Sequence, residues 1–213
     1  MAIVVQEASD ADLRRACEIE TAAYANNPSS PILFPGPFPP DSPDRRVNNL
    51  INMRKDDPSA RYLKAVKDET GEMTAFAKWH IYDTPEAAEL ARERPINIGP
   101  GMNKEACEAF FGGMAMKKKE IMGTKRHLYL HMLHTDPKYQ CCGAGSALLK
   151  WGMQKADELG LPVYLESSTE GHHFYQKHGF KDVDVLRIDF SQFGGGDVMH
   201  VAPLMIREPE KTT

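Results

Sequence analysis

The sequence lacks the residues that would build a disulfide scaffold, a metal site or a membrane span. Its four cysteines form no C-x-x-C pair, and its eight histidines stand at no familiar zinc-ligand spacing from them. We therefore expect reduced thiols and no bound metal. No apolar run reaches the ~20 residues that cross a bilayer, and the N-terminus lacks a signal-peptide pattern. These features predict a cytoplasmic protein with no membrane partner.

An excess of positive charge is also missing. The chain has 26 Lys and Arg against 30 Asp and Glu, a formal net charge of −4, which argues against a nucleic-acid partner. Neither the dinucleotide pattern G-x-G-x-x-G nor the P-loop pattern G-x-x-x-x-G-K-[ST] occurs. With 213 residues the chain can bury a full core, and we expect a single domain.

Apolar periodicity predicts alternating strands and helices with two long insertions. The insertion at residues 26–43 is rich in proline and holds apolar residues at 32–34 and 38 that we expect to pack onto the protein. The insertion at residues 83–123 has helical spacing in its later half. The predicted strands are residues 3–5, 61–68, 73–82, 126–135, 163–167, 183–190 and 198–206, and the predicted helices are residues 9–24, 42–57, 146–159 and a short one from about Thr169.

The stretch from His131 to Leu149 has the pattern of an anion-binding turn. An apolar strand ends at Asp136-Pro137, and Gly143 and Gly145 then precede an amphipathic helix that begins near Ser146. Glycines let the backbone approach a ligand, and the first N–H groups and the positive dipole end of a helix attract phosphate. The pattern predicts a site for a pyrophosphate.

Two motifs resemble those of the GNAT N-acetyltransferase superfamily. The first is Gln140-Cys-Cys-Gly143-Ala-Gly145, a Q-x-x-G-x-G loop similar to the family's acetyl-CoA pyrophosphate loop. The second is Phe174-Tyr-Gln-Lys-His-Gly-Phe180, which resembles its F-Y-x-K-x-G-F signature and follows about 35 residues later. The order of predicted elements over residues 3–206 is also similar to that of the family.

This resemblance implies an α/β (α+β) GNAT fold. Its central sheet would be mixed, mostly antiparallel and twisted, with helices on both faces. A V-shaped splay would open between two central parallel strands, here residues 129–135 and 163–167. Residues 1–213 would form a single GNAT N-acetyltransferase domain.

The resemblance further implies that acetyl-CoA is the acetyl donor and that main-chain groups hold it. The pantetheine arm would pair with Leu133, His134 and Thr135. Relatives commonly carry arginine or other polar residues where this chain has its two cysteines, so we expect main-chain amides alone to bind the phosphates. The hypothesis is that acetyl-CoA binding is weaker than in those relatives or is sensitive to oxidants. The pyrophosphate-binding residues would be Gln140, Cys141, Cys142, Gly143, Ala144, Gly145 and Ser146.

Two residues are implied as catalytic. Tyr175 stands where the family keeps its general acid, and a phenol with a pKa near ~10 keeps its proton at neutral pH. His131 stands where the arylalkylamine acetyltransferases of the family keep a histidine, and imidazole titrates near ~6.5. Those enzymes have a second histidine where this chain has Tyr129. Action of the base through water, or a role shared with Glu166, therefore stays open.

The remaining polar candidates are predicted to be structural. Strand alternation places His134 on the side of its strand opposite to His131. His80 lies on the strand before the second insertion and has no counterpart in the motifs. The run Lys117-Lys-Lys119 is predicted to mark a solvated helix face.

The predicted activity is transfer of an acetyl group from acetyl-CoA to the primary amine of a small molecule, by direct attack on the thioester. The two insertions would build the acceptor pocket, and their apolar residues favour an aromatic or apolar amine. One alternative is a protein lysine or N-terminal acetyltransferase, and another is a sensor that binds acyl-CoA without chemistry. We expect a monomer or a homodimer.

Overall fold

A computed structural model describes residues 2–91 and 97–210 and contains one central sheet flanked by helices. The strands are β1 (Ile3–Glu7), β2 (Ala60–Lys67), β3 (Met73–Tyr82), β4 (His127–Thr135), β5 (Val163–Glu166), β6 (Lys181–Asp189) and β7 (Met199–Arg207). The helices are α1 (Leu13–Ala23), α2 (Ser30–Leu33), α3 (Ser42–Asp56), α4 (Pro85–Leu90), α5 (Lys104–Cys107), α6 (Gly113–Met122), α7 (Ala144–Leu159) and α8 (His172–Lys177).

The seven strands lie in the order β1-β2-β3-β4-β5-β7-β6, and every neighbouring pair is antiparallel except β4 with β5. The predicted mixed, mostly antiparallel sheet is therefore confirmed. None of the helices in the described part of the chain is long and apolar enough to span a bilayer.

The two parallel strands separate partway along their length. β4 and β5 pair from Leu128 with Val163 to Leu130 with Leu165. Beyond that point β4 stays with β3, whereas the amide of Ser167 donates to the carbonyl of Pro203 at 2.8 Å and so follows β7. Because each strand follows a different neighbour, a V-shaped gap opens after Leu130, as the family resemblance implies.

Helices cover both faces of the sheet. On one face α7 packs on the apolar side chains of β1 to β5, and Gly152 lies so close to the Trp79 ring that a Cβ there would come within 2.2 Å of it. On the other face α1 and α3 cover β2 and β3 around Phe76. The helices α4 and α6 cover the same face near Tyr129 and Tyr164.

A β-bulge in β4 changes which side chains share a face. The register moves from Lys78 opposite Met132 to Trp79 opposite Leu130, so His131 is the extra residue. Strand alternation restarts after this residue. His134 consequently stands opposite Phe76, on the face on which His131 contacts His80. The prediction that His134 faces away from His131 is wrong, because it assumed an unbroken strand.

The two insertions pack against each other. Ile32 and Leu33 join a cluster with side chains of α5, and the amide of Asn103 donates to the carbonyl of Leu33 at 2.9 Å. The predicted packing of Ile32 and Leu33 is confirmed. Phe38 lies against Gly101 but stays 48% exposed, and Phe34 is 38% exposed. Residues 92–96 of the second insertion lie outside the described residues.

Candidate active site

The turn between β4 and α7 contains main-chain N–H groups that take no part in the helix or the sheet. Gly143 precedes the helix with φ of 87°, and Cys141 also has a positive φ of 60°. The first amide to enter the helical pattern is that of Ala147, which donates to the carbonyl of Gly143 at 2.9 Å. Within the ranges that the structure describes, the amides at 141–146 have no partner. Four to six N–H groups at the positive end of a 16-residue helix suit a pyrophosphate.

Gly145 brings the two sequence motifs together. A Cβ at this position would lie 3.3 Å from Thr135 Oγ1 and 4.0 Å from Phe174 Cζ. The end of β4, the start of α7 and the side of α8 therefore meet at this glycine. Ala144 beside it is buried and Ser146 is half-buried, whereas residues 140–143 are exposed. A larger side chain at 145 would fill the space between the turn at residues 141–146, hereafter the cradle, and the end of β4.

The far half of β4 has one edge turned towards the V. Leu133, His134 and Thr135 pair with β3 on one side, and no pair with β5 extends that far. This edge fits main-chain pairing with an extended ligand such as pantetheine. The turn after it is held by buried Asp136, which accepts from the amide of Lys138 at 3.0 Å and forms an ion pair with Arg15. That amide and Arg15 lower the pKa of Asp136.

The side chain of His134 has a structural environment. It is buried, and its Nε2 lies 3.2 Å from the hydroxyl of Tyr24 on α1. Burial lowers the pKa of His134, so the ring is neutral at physiological pH. Burial likewise raises the pKa of Tyr24 to about 12. The side chain of His134 is therefore suited to position β4 against α1.

Tyr175 lies on α8 in an aromatic cluster. Its ring packs edge-on against Phe174 and Phe180, with ring centroids 5.2 Å and 5.8 Å away. Gly179 ends this region in the left-handed conformation, with φ of 84°. Burial raises the pKa of Tyr175 above its ordinary value, and Tyr24 adds to the effect. The phenol thus keeps its proton at neutral pH, which is what a general acid requires.

His131 forms part of a chain of side chains that the sequence motifs do not reveal. Its Nδ1 lies 3.2 Å from Nε2 of His80, a residue with no exposed surface. His80 Nδ1 in turn lies 3.1 Å from Ser59 Oγ and 3.3 Å from Asp57 Oδ2. His80, predicted to be structural, thus contacts the candidate base. The contact between His80 and His131 could have been predicted only from the register of β2, β3 and β4, which places His80 opposite both Ala60 and Tyr129.

A second polar group lies on the other side of His131. The hydroxyl of Tyr129 donates to Glu166 Oε2 at 2.7 Å, and the Tyr129 ring stacks on His131 with centroids 5.2 Å apart. Burial raises the pKa of Glu166, although Tyr129 and Lys118 act in the opposite direction. Tyr129 therefore connects the candidate base with the carboxylate at the end of β5.

Lys118 is a further correction to the sequence interpretation. Its side chain is buried, with Nζ 4.4 Å from the centroid of the Tyr129 ring and 3.3 Å from the carbonyl of Ala91. Lys117 does lie at the surface, where it pairs with Glu120 and Asp184. The middle lysine of the run thus points into the site region rather than into solvent. Within residues 2–91 and 97–210, no three His, Cys, Asp or Glu side chains are grouped so that they could hold a metal ion.

Solved acetyltransferases share this fold over their whole length. A histone acetyltransferase HPA2 and related acetyltransferase from Corynebacterium glutamicum is 21% identical, with TM-score 0.62 and coverage of 100% of this chain and 99% of that one. A mosquito arylalkylamine N-acetyltransferase like 5b is 13% identical, with TM-score 0.62 and coverage of 97% and 100%. A phosphinothricin acetyltransferase from Sinorhizobium meliloti, in complex with acetyl-CoA, is 13% identical, with TM-score 0.59 and coverage of 100% and 91%.

Sequence comparison gives one short curated match and one long family match. The probable acyltransferase SID5 of Ajellomyces capsulatus is 46% identical over 39 residues, which are 18% of this chain and 29% of that protein. This match therefore spans less than a third of the curated relative. The family model described as the acetyltransferase (GNAT) family matches residues 31–180, more than half of the chain. Both motifs and the turn at residues 141–146 lie inside that range, and membership of this family confirms acetyl-CoA as the acetyl donor. The protein belongs to the GNAT acetyltransferase family.

Proposed function

We propose that this protein transfers the acetyl group of acetyl-CoA to the primary amine of a small molecule. The observation that carries the proposal is the position of His131. It is the first residue of β4 beyond the last pair with β5, and it is hydrogen-bonded to a second, buried histidine. A histidine at the opening of the V is well placed to take the proton of an ammonium group before the nitrogen attacks.

The residues around the V suit a direct transfer. The amides at 141–146 would hold the pyrophosphate, and the open edge of Leu133 to Thr135 would hold the pantetheine arm. Acetyl-CoA supplies the thioester that carries the acetyl group. His131 would accept the amine proton, and Tyr175 would give its proton to the departing thiolate. Because attack on the thioester is direct, no nucleophilic side chain of the protein is needed.

The packing of the two insertions favours a small acceptor. Side chains from residues 26–43 and 97–123 share one apolar cluster with Phe190 at the end of β6. Phe110 lies in that cluster beside His200, with ring centroids 4.7 Å apart. Such a covering lobe leaves less room for a peptide chain than an open groove, and its composition favours an aromatic or apolar amine. We also propose that the whole chain acts as one domain, as a monomer or a homodimer.

The proposal is tested by following thiol release from acetyl-CoA with a panel of acceptors. The panel contains arylalkylamines, polyamines, free amino acids and peptides that carry a lysine or a free N-terminus. We expect turnover with at least one small primary amine, and the highest kcat/KM with an apolar or aromatic one. The rate of thiol release without an acceptor provides the background.

Two outcomes contradict the proposal in different ways. Turnover confined to peptides supports a protein acetyltransferase instead. Tight binding of acetyl-CoA, measured by calorimetry, with no thiol release above the acceptor-free background supports a sensor.

A further inference from the structure

The pair formed by half-buried Asp57 and fully buried His80 has no role in the family motifs, yet His80 contacts the candidate base. His80 lies on β3 and Asp57 directly after α3, so three separate elements converge on His131. His80 is fully buried, and burying an imidazole costs free energy unless its nitrogens are hydrogen-bonded. Both nitrogens have partners here. The partners determine which of them carries the hydrogen.

The hydrogen of His80 is on Nδ1. Asp57 Oδ1 accepts from the amide of Ser59 at 2.9 Å and from the hydroxyl of Ser59. Since that hydroxyl hydrogen is directed to Asp57, Ser59 Oγ can only accept from His80 Nδ1. The other neighbour of Nδ1 is the carboxylate Oδ2 of Asp57, which also can only accept. Two acceptors around one nitrogen require an N–H.

The tautomer of His131 follows from that of His80. A neutral His80 with its hydrogen on Nδ1 has its lone pair on Nε2, which must accept from Nδ1 of His131 at 3.2 Å. Neutral His131 then has its own lone pair on Nε2. When Nε2 takes up a proton, the positive ring donates through Nδ1 to His80, and His80 donates to the carboxylate of Asp57.

We propose that Asp57 and His80 are positioning residues for acetyl transfer, which hold His131 in the tautomer with its lone pair on Nε2 and stabilise its protonated form. The proposal rests on the role of His131 as the base. The titratable groups that contact this pair from the described elements include Tyr82 on β3, whose ring stacks on His80, and Tyr129 on β4, whose ring stacks on both His80 and His131. Lys118 on α6 and Glu166 on β5 contact Tyr129 in turn.

The tautomer is measured directly by two-bond ¹H–¹⁵N correlation spectra of the full-length protein labelled at histidine. Assignment uses His80→Gln and His131→Gln. We expect His131 to carry its hydrogen on Nδ1. In Asp57→Asn the side-chain amide oxygen keeps the Ser59 contacts and the NH₂ group donates to His80 Nδ1. The hydrogen of His80 then moves to its Nε2, which donates to His131 Nδ1, so the hydrogen of His131 moves to Nε2. Asp56→Asn, the same charge change at the exposed neighbouring residue, should leave both tautomers unchanged.

A wild-type His131 with its hydrogen on Nε2 overturns the proposal, and this measurement needs no variant to fold. A folded Asp57→Asn protein whose His131 tautomer is unchanged overturns it equally. Because the spectra need no acceptor, they decide the role of Asp57 and His80 even if no small amine is a substrate.

Kinetics with the best acceptor of the thiol-release panel provide the functional readout. We expect Asp57→Asn to lower kcat by about 100-fold at neutral pH, within the range of a general base, with an unchanged KM for acetyl-CoA. The loss should shrink as the pH approaches the pKa of the acceptor amine, since the free amine needs no base. A loss that is the same at every pH indicates a merely structural role and contradicts the proposal.

Discussion

The acetyl-CoA cradle and the His131 site lie at two ends of the far half of β4, and they are built differently. The candidate acetyl-CoA cradle uses main-chain N–H groups of one continuous turn, residues 141–146, for which the structure gives no protein partner. The His131 site uses side chains from β3, from β4 and from the segment after α3, and its central residue His80 is completely buried. Binding a phosphate with amides depends on local backbone shape, whereas proton transfer depends on a register set by strands distant in sequence.

This difference predicts how each region responds to substitution. In the cradle, side chains that point into solvent can change with little effect, while a residue that shapes the backbone cannot. Around His131 the reverse holds, because hydrogen-bonding atoms of particular side chains make the contacts. The four predictions below test this contrast, from the largest expected effect to the smallest.

Tyr175→Phe should produce the largest effect on turnover. The substitution removes the phenolic proton but keeps the ring packing with Phe174 and Phe180. We expect kcat to fall by roughly 10²- to 10⁴-fold, the usual contribution of a general acid, with the affinity for acetyl-CoA preserved. Steady-state kinetics and calorimetry measure the two quantities. Unchanged turnover would exclude Tyr175 as the acid.

Gly145→Val should break the cradle while leaving the His131 site intact. Even a Cβ at this position is within 3.3 Å of Thr135 Oγ1, and the added methyl groups must push β4, the turn or Phe174 apart. Overpacking of this kind costs about 1–3 kcal/mol, so we expect a roughly 5- to 150-fold weaker Kd for acetyl-CoA. Gly145→Ala should lie between this variant and wild type. An unaffected Kd would mean that the cofactor does not approach Gly145.

His127 and His131 lie on the same strand, and their pH responses should differ. Burial lowers the pKa of His127 to about 4, below the ordinary value of 6.5, so the folded protein favours the neutral ring. Between these two pH values the unfolded state binds more protons, and the free energy of unfolding must therefore fall as the pH is lowered from 6.5 towards 4. Above this window the residue contributes no pH dependence.

His127→Gln should flatten that part of the stability profile, as measured by urea unfolding at a series of pH values. It should leave the pH profile of kcat/KM unchanged, whereas His131→Gln should alter the latter. The exposed His173→Gln is the matched control. His134 and His200, whose pKa values burial also lowers, contribute with the same sign and leave a residual slope. A catalytic pH profile that changes in His127→Gln would contradict this separation.

Cys141→Gly should have the smallest effect. Cys141 has a φ of 60°, a conformation that costs a residue with a Cβ about 1 kcal/mol. Glycine removes this strain but gains entropy in the unfolded chain, so the free energy of unfolding should change by less than about 1 kcal/mol. The Kd for acetyl-CoA should stay within threefold if amides provide the binding, a factor below about 1 kcal/mol. A larger loss would show that the thiol itself contributes.

Local motifs predicted the parts of the molecule that a continuous segment builds. The turn at 140–146 and the helix after it follow from glycine placement and apolar spacing over a few residues. The splay of β4 from β5 followed from the family resemblance, since both strands could be located by their motifs. Helix boundaries differed slightly: α7 begins at Ala144 rather than Ser146, and α8 at His172 rather than Thr169.

Features that depend on an added residue could not be predicted. The bulge at His131 reverses the side of every later residue of β4, and nothing in the alternation of that strand indicates it. A segment of π-helix at Glu108–Gly112 lies between α5 and α6 and shifts the face that the later residues share. Lys118 in α6 is buried, although the lysine run was predicted to face solvent. Asp57 was not identified because it is 23 residues from its partner His80 in the sequence. The pairing of β2 with β3, which places His80 opposite Ala60, brings the two side chains together.

Trp79 and His80 are consecutive in β3 and therefore project from opposite faces of the sheet. The first is pressed against Gly152 on the helix whose N-terminus forms the cradle, and the second contacts His131. One peptide unit thus connects the proposed donor site with the candidate base His131, and neither contact involves residues 26–43 or 97–123. A library that seeks new acceptors can vary residues 26–43 and 97–123 widely, provided that Trp79, His80 and Gly152 are held constant.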